Sequence, residues 1–98
     1  MYVKKYEVQK EIVVAVCDKE LIGKVLREGE IVLDLKKYSS FYLGELASEE
    51  EAWEKMKDAT SLNLVGKKAV GLAMKKKLAK KGDERTVEGV PHLQVYKI

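Results

Sequence analysis

Ser61-Leu62-Asn63-Leu64-Val65-Gly66-Lys67-Lys68-Ala69-Val70-Gly71-Leu72-Ala73-Met74, running on through Lys75-Lys76-Lys77-Leu78-Ala79-Lys80-Lys81-Gly82, is the stretch on which the architecture turns. At about 100° per residue, Leu62, Val65, Ala69, Leu72 and Ala73 fall on one apolar stripe, and Val70, Met74 and Leu78 on a second, nearly opposite. The spacing predicts a helix from Ser61 or Asn63 to Lys80 or Lys81, stopped by Gly82. Two apolar faces imply a helix wedged between a sheet and another element, either the neighbouring helix or a second subunit. Lys68, Gly71 and Lys75 share the strip between, open to solvent or to a partner.

Working outward, Ser48-Glu49-Glu50-Glu51 has the form of a capping box, with Ser48 bonding the Glu51 amide and the Glu51 side chain reaching back. It opens a helix whose buried stripe is Ala52, Trp53, Met56 and Ala59, ending near Thr60. Towards the N-terminus, Ile12-Val13-Val14-Ala15-Val16-Cys17 is a β-rich run, read as a central strand covered on both faces. The alternation of residues 2 to 8 supplies its hairpin partner across Gln9-Lys10-Glu11. Asp18 is placed to cap the short segment Lys19 to Ile22, and Gly23 to close it. Arg27 to Glu30 is a turn, Ile31 to Leu35 a third strand, and Tyr38 to Gly44 a loop. Arg85-Thr86-Val87, a turn at Gly89 and Pro91 to Ile98 return the chain to the sheet, with Leu93 and Val95 facing one way and His92, Gln94, Tyr96 and Ile98 the other. The expected fold is one α+β domain over residues 1–98: a small, mostly antiparallel sheet of four to five strands with two main helices packed on it.

The totals agree with one small domain: 98 residues, 46% hydrophobic and 36% charged. No apolar run approaches the roughly 20 residues that span a bilayer, so no membrane partner is expected. The N-terminus lacks the basic-then-apolar order of a secretory leader. One cysteine and one histidine allow neither an internal disulfide nor a metal cage, which points to a cytoplasmic protein without metal or cofactor. Abundant Lys and Glu, with Gln9, Asn63 and Gln94 as the sole amides, is a thermophile composition.

The charge is segregated. Residues 1–65 carry a net −3 and residues 83–98 a net −1, whereas residues 66–82 hold seven lysines and no acid. A cationic edge of Lys67, Lys68 and Lys75 suits nucleic-acid phosphates, with affinity that falls as salt rises. Gly66 and the helix N-terminus favour an anion, and Tyr42, beside Phe41 in the Ser-flanked loop, is a candidate for stacking a base. The competing reading is a solvated lysine face. Only Arg27 and Arg85 are arginines, so recognition would rest on backbone and shape rather than on guanidinium forks. His92 is the one side chain titrating near neutrality, a candidate general base. Cys17, beside Asp18 at a helix start, is a candidate nucleophile whose apolar neighbours argue for burial. No phosphate-binding glycine loop, HExxH or GxSxG is present.

Cys17-Asp18-Lys19-Glu20-Leu21-Ile22-Gly23, Phe41-Tyr42-Leu43-Gly44-Glu45, Asn63-Leu64-Val65-Gly66-Lys67-Lys68-Ala69-Val70 and Gly89-Val90-Pro91-His92-Leu93-Gln94-Val95-Tyr96, in this order, resemble a small archaeal family known as domain of unknown function 424. The resemblance spans nearly the whole chain. It implies an archaeal source and a compact α+β fold, and it assigns no reaction. A shared site is sought where Asn63, Gly66, Tyr42 and His92 converge. Three functions follow in order: a non-enzymatic RNA-binding or ribonucleoprotein-associated module using Lys67, Lys68, Lys75 and Tyr42; a homodimeric interaction module using the second apolar face of the lysine helix; and a small enzyme using His92 and Cys17.

Overall fold

Gly66 stands at φ 110° and ψ 158°, a conformation essentially reserved for glycine, and it divides the 61–82 stretch in two. The computed structural model describes residues 1–97. In chain order, β1 (Tyr2–Val8) and β2 (Glu11–Cys17) lead through a 3-10 turn at Lys19–Leu21 to a hairpin of β3 (Val25–Glu28) and β4 (Ile31–Asp34). The short helix α1 (Ser39–Tyr42) and the two-residue strand β5 (Glu45–Leu46) precede α2 (Glu49–Met56), β6 (Ser61–Val65), α3 (Lys67–Lys75), β7 (Arg85–Val87) and β8 (Val90–Tyr96). The main sheet has six strands in the order β5-β1-β2-β6-β8-β7, and β3–β4 forms a separate two-stranded sheet. The class is α+β as expected, but with six strands in place of four or five, and with α1 as a third, short helix.

The expected helix from Ser61 or Asn63 to Lys80 or Lys81 is therefore corrected at both ends. Its first turn is instead the strand β6, paired parallel with β2 from Val13↔Ser61 to Cys17↔Val65 and antiparallel with β8 from Ser61↔Tyr96 to Val65↔His92. Leu62 and Leu64 point to one face and Ser61, Asn63 and Val65 to the other, the period of two that a strand between two neighbours requires. Leu62 and Val65 joined the helical stripe only because three-residue spacing also occurs across a strand–helix junction. At the other end, the Leu78 amide reaches the Ala73 carbonyl with Lys77 at φ 60°, a closing turn that stops α3 well short of Gly82. Consecutive lysines without an acid on the same helix repel one another and do not support further turns.

Both faces of β2 are covered, as read: Val14, Ala15, Val16 and Cys17 have no exposed surface. On one face Val3, Val14, Val16, Leu62, Leu64 and Leu93 pack under Ala52 and Met56 of α2 and Ala69, Leu72 and Ala73 of α3. Val70 is buried in the same core, and Met74 and Leu78 pack against it. The second apolar face of the helix thus packs in part within the chain, with Val70 buried and Met74 and Leu78 half-buried, which reduces the surface on which the homodimer reading rested. On the opposite face Ala15, Cys17 and Val65 meet Leu21, Leu35 and Tyr42. The capping box is present: the Glu51 amide donates to Ser48 Oγ at 3.2 Å, and the Ser48 amide to Glu51 Oε1 at 3.0 Å. Thr60 lies past the end of α2 and ties the foot of β6 to β2, accepting from the Ile12 amide at 2.9 Å and donating to the Ile12 carbonyl at 3.0 Å.

The β3–β4 hairpin lies over the second face and is fixed by Glu88, whose carboxylate accepts from the Arg27 amide at 2.6 Å and whose amide donates to Glu28 Oε1 at 2.9 Å. Glu88 and Gly89 both have positive φ, the geometry of a two-residue hairpin turn between β7 and β8. Of the returning C-terminal strand, Ile98 lies outside the described residues.

Candidate functional site

Among the described residues, Asp18 is the one buried charged side chain, 2% exposed. Its expected local role, capping Lys19 to Ile22, is not the one it has, for its side chain makes no cap bond there. It crosses the end of the sheet to α3, where Oδ2 accepts from the Lys68 amide at 3.0 Å and Oδ1 from the Ala69 amide at 2.9 Å. A carboxylate at a helix N-terminus satisfies two otherwise orphan donors and the positive end of the dipole. Gly66 makes room for it: a Cβ there would collide with the Asp18 carboxyl group. The anion expected at this helix start is consequently supplied by the chain itself, and Gly66 serves that contact rather than an external ligand.

Lys67 and Lys68 are exposed on the first turn of α3. Lys75 is exposed but pairs with Glu49 at 3.3 Å, a surface contact worth about 0–1 kcal/mol. Lys76 lies 5.1 Å over the Trp53 ring. Glu49, Glu50, Glu51 and Glu54 line a cleft of about 610 Å³ with Lys75 and Lys76, so phosphate would meet acidic walls there. Among the described residues, no ion pair involves Lys67, Lys68, Lys77, Lys80 or Lys81.

Three of the four residues expected to converge do so. Tyr42 Oη donates to Asn63 Oδ1 at 2.7 Å, and His92 Nε2 meets the same oxygen at 3.1 Å. Sheet register explains the meeting, since Asn63 on β6 and His92 on β8 are on one face and Tyr42 comes down from α1 above. Gly66 stands apart at the strand end. Tyr42 is 5% exposed, packed edge-to-face on Phe41 at 5.0 Å, while Phe41 stacks on Tyr6 at 5.2 Å. Its ring therefore cannot stack on a base, which corrects that expectation. Burial first, and then the neighbouring Cys17, push its hydroxyl well above the usual phenol range, so it remains a donor. Burial, then the Arg85 guanidinium, hold His92 below its ordinary value and favour the neutral ring.

Cys17 donates to the Asp18 carbonyl at 3.4 Å. Burial, then Asp18 and Glu20, push its thiol up to about 12, far from a reactive thiolate. Val65 lies between Cys17 and His92 in the sheet, which separates their backbones by two strand spacings, about 10 Å. The pair expected of a small enzyme is not assembled.

Two hollows flank the Asn63–His92 contact. One, of about 300 Å³, is walled by Val32, Leu33, Leu35 and Phe41, with Asn63, Asp34, Tyr38 and Tyr42 as its polar residues. The other, of about 270 Å³, is lined by Arg85, His92, Gln94, Tyr96, Asp83 and Glu84. Asp34 carries no sequence signal beyond its place in the third strand, and Tyr38 none beyond a loop; only the hairpin's position over the sheet brings them to Asn63.

The pattern that carries Cys17-Asp18, Asn63 to Ala69 and Pro91-His92 is matched along residues 6–98 by the family described as "Protein of unknown function (DUF424)". The chain belongs to this DUF424 family. A crystal structure of an uncharacterized conserved protein from Methanopyrus kandleri, an archaeon, superposes with a TM-score of 0.83 at 24% identity, covering 99% of this chain and 90% of that one. That likeness shows the fold alone. No curated protein matches the chain. Among the described residues no helix is long and apolar enough to cross a membrane.

Proposed function

We propose that this DUF424 chain is a non-enzymatic RNA-binding module whose backbone contacts centre on Lys67 and Lys68. The observation that carries the reading is charge left over after folding: of seven lysines in residues 66–82, Lys75 alone takes part in an ion pair among the described residues. Lys67 and Lys68 project from a helix start anchored by Asp18, so their positions are fixed while their ammonium groups are not engaged. Lys75, beside the glutamate-lined cleft, contributes less than expected from the sequence alone. The inertness of Cys17 favours binding over catalysis, and the cytoplasmic setting belongs to the same proposal.

The test is fluorescence anisotropy with a structured RNA across a salt series. Each neutralised phosphate contributes about 0.7 to 0.9 to the slope of log affinity against log salt. Replacing both Lys67 and Lys68 by Ala is expected to weaken binding and to reduce that slope by about 1 to 2. Absence of binding at micromolar protein, or an affinity and slope untouched by the double substitution, would overturn the reading.

A further inference from the structure

The polar groups of the 300 Å³ hollow are not interchangeable, because bonds within the fold already engage one oxygen each of Asp34 and Asn63. Asn63 Oδ1 already accepts from Tyr42 Oη and contacts His92 Nε2, so its Nδ2 is the free end. No buried side-chain polar atom among the described residues lacks a partner, and Nδ2 has none within them; it is therefore open to solvent, and the hollow is where Asn63 is open. Asp34 Oδ1 accepts from the Lys36 and Lys37 amides at 3.1 and 2.7 Å, which leaves Oδ2 without a side-chain partner among the described residues, on a residue that lines the hollow. With the Tyr42 hydroxyl spent on Asn63, the hollow thus offers a donor on Asn63 and an anionic acceptor on Asp34 among apolar and aromatic residues, with Tyr38 55% exposed.

We propose that this hollow takes a single unpaired guanine base. The inference deepens the RNA-binding reading and rests on it for the source of the base, although a free guanine nucleotide presents the same edge. Guanine alone among the four bases carries a carbonyl acceptor, O6, followed by two adjacent donors, N1–H and the N2 amino group. Asn63 Nδ2 donates to O6, and the Asp34 carboxylate accepts from N1–H and N2–H. Adenine sets its N1 lone pair, and uracil a carbonyl, against that carboxylate; an unpaired acceptor facing an anion is what makes such sites selective. Bases presented singly are read on their Watson–Crick edges between aromatic and apolar walls, as here. The exposed Lys36 and Lys37 offset the carboxylate, with Lys37 Nζ 5.5 Å from the centre of the Tyr38 ring.

The experiment compares two RNA hairpins identical except for one unpaired loop base, guanine or adenine, by anisotropy, with guanosine and adenosine monophosphates titrated by calorimetry. The expected result is roughly tenfold or greater preference for the guanine loop. Asp34→Asn keeps the acceptor for the two amides and turns the other oxygen into a donor, and should bring the guanine loop down to the affinity of the adenine loop. Equal binding of both loops, or a preference unmoved by Asp34→Asn, overturns the inference and leaves the RNA reading standing. Binding of guanosine monophosphate but of neither RNA sustains the base site while removing RNA as its source. Binding of nothing removes both.

Discussion

His92 shows how a residue's chemistry is set by what lies around it. Burial and Arg85 depress its pKa from the ordinary 6.5. In the unfolded chain the ring takes a proton as pH falls through 6.5, whereas the folded ring resists it. Stability linked to His92 is therefore complete above pH 6.5 and is lost as pH falls towards the lower folded value. Urea midpoints are expected to drop between pH 7.5 and 5.5, and His92→Gln should flatten that drop; a wild-type midpoint that rises over this interval would contradict the assigned environment. The presence of one histidine was plain in the sequence, and its strand face was readable from the alternation of residues 91–96. Its partner Asn63 was named, but the arrangement of Tyr42, Asn63 and His92 on one oxygen depends on strand register, which no local pattern specifies. Cys17 was readable as buried for a simpler reason: it ends a continuous apolar run in the middle of the sheet.

The elements that were legible are those with a local cause. The capping box of α2 and the β1–β2 hairpin each arise from neighbouring residues. The β6–Gly66–α3 junction was not legible, because apolar residues at 62, 65, 69 and 72 satisfy a helical period by accident. What decides between helix and strand there is tertiary: pairing with β2 and β8, and a glycine conformation that a helix cannot contain. Asp18 and Gly66 form one device, and that makes a prediction at this scale. Asp18→Ala leaves two helix amides without an acceptor and is expected to cost about 2 kcal/mol. Gly66→Ala adds a side chain at a glycine-only backbone angle against the carboxyl group, and should cost at least about 2 kcal/mol. In urea denaturation the two should be non-additive, Gly66→Ala being milder once Asp18 is Ala, since the collision is then relieved. Strict additivity would show that the two do not act through one contact.

At the scale of the molecule, the fold class and the position of the positive charge could both be read from the sequence, whereas strand number and order could not. The sheet grew to six strands because short pieces such as β5 and β7 gain their pairing from longer neighbours rather than from their own residues. The same packing settled which lysines remain at large: α2, delivered beside α3 by the crossover between β2 and β6, neutralises Lys75 and leaves Lys67 and Lys68 at the opposite end of the helix. The account therefore rests on RNA meeting the start of α3. The most direct measurement is the change in backbone amide NMR shifts as a structured RNA with an unpaired guanine is titrated in. The predicted result is that Lys67, Lys68 and the residues around Asp34 and Asn63 move, with Glu49 following because it shares a hollow with the two lysines, while Glu50 to Glu54 stay in place. Perturbations gathered along α2, or none at saturating RNA, would contradict it.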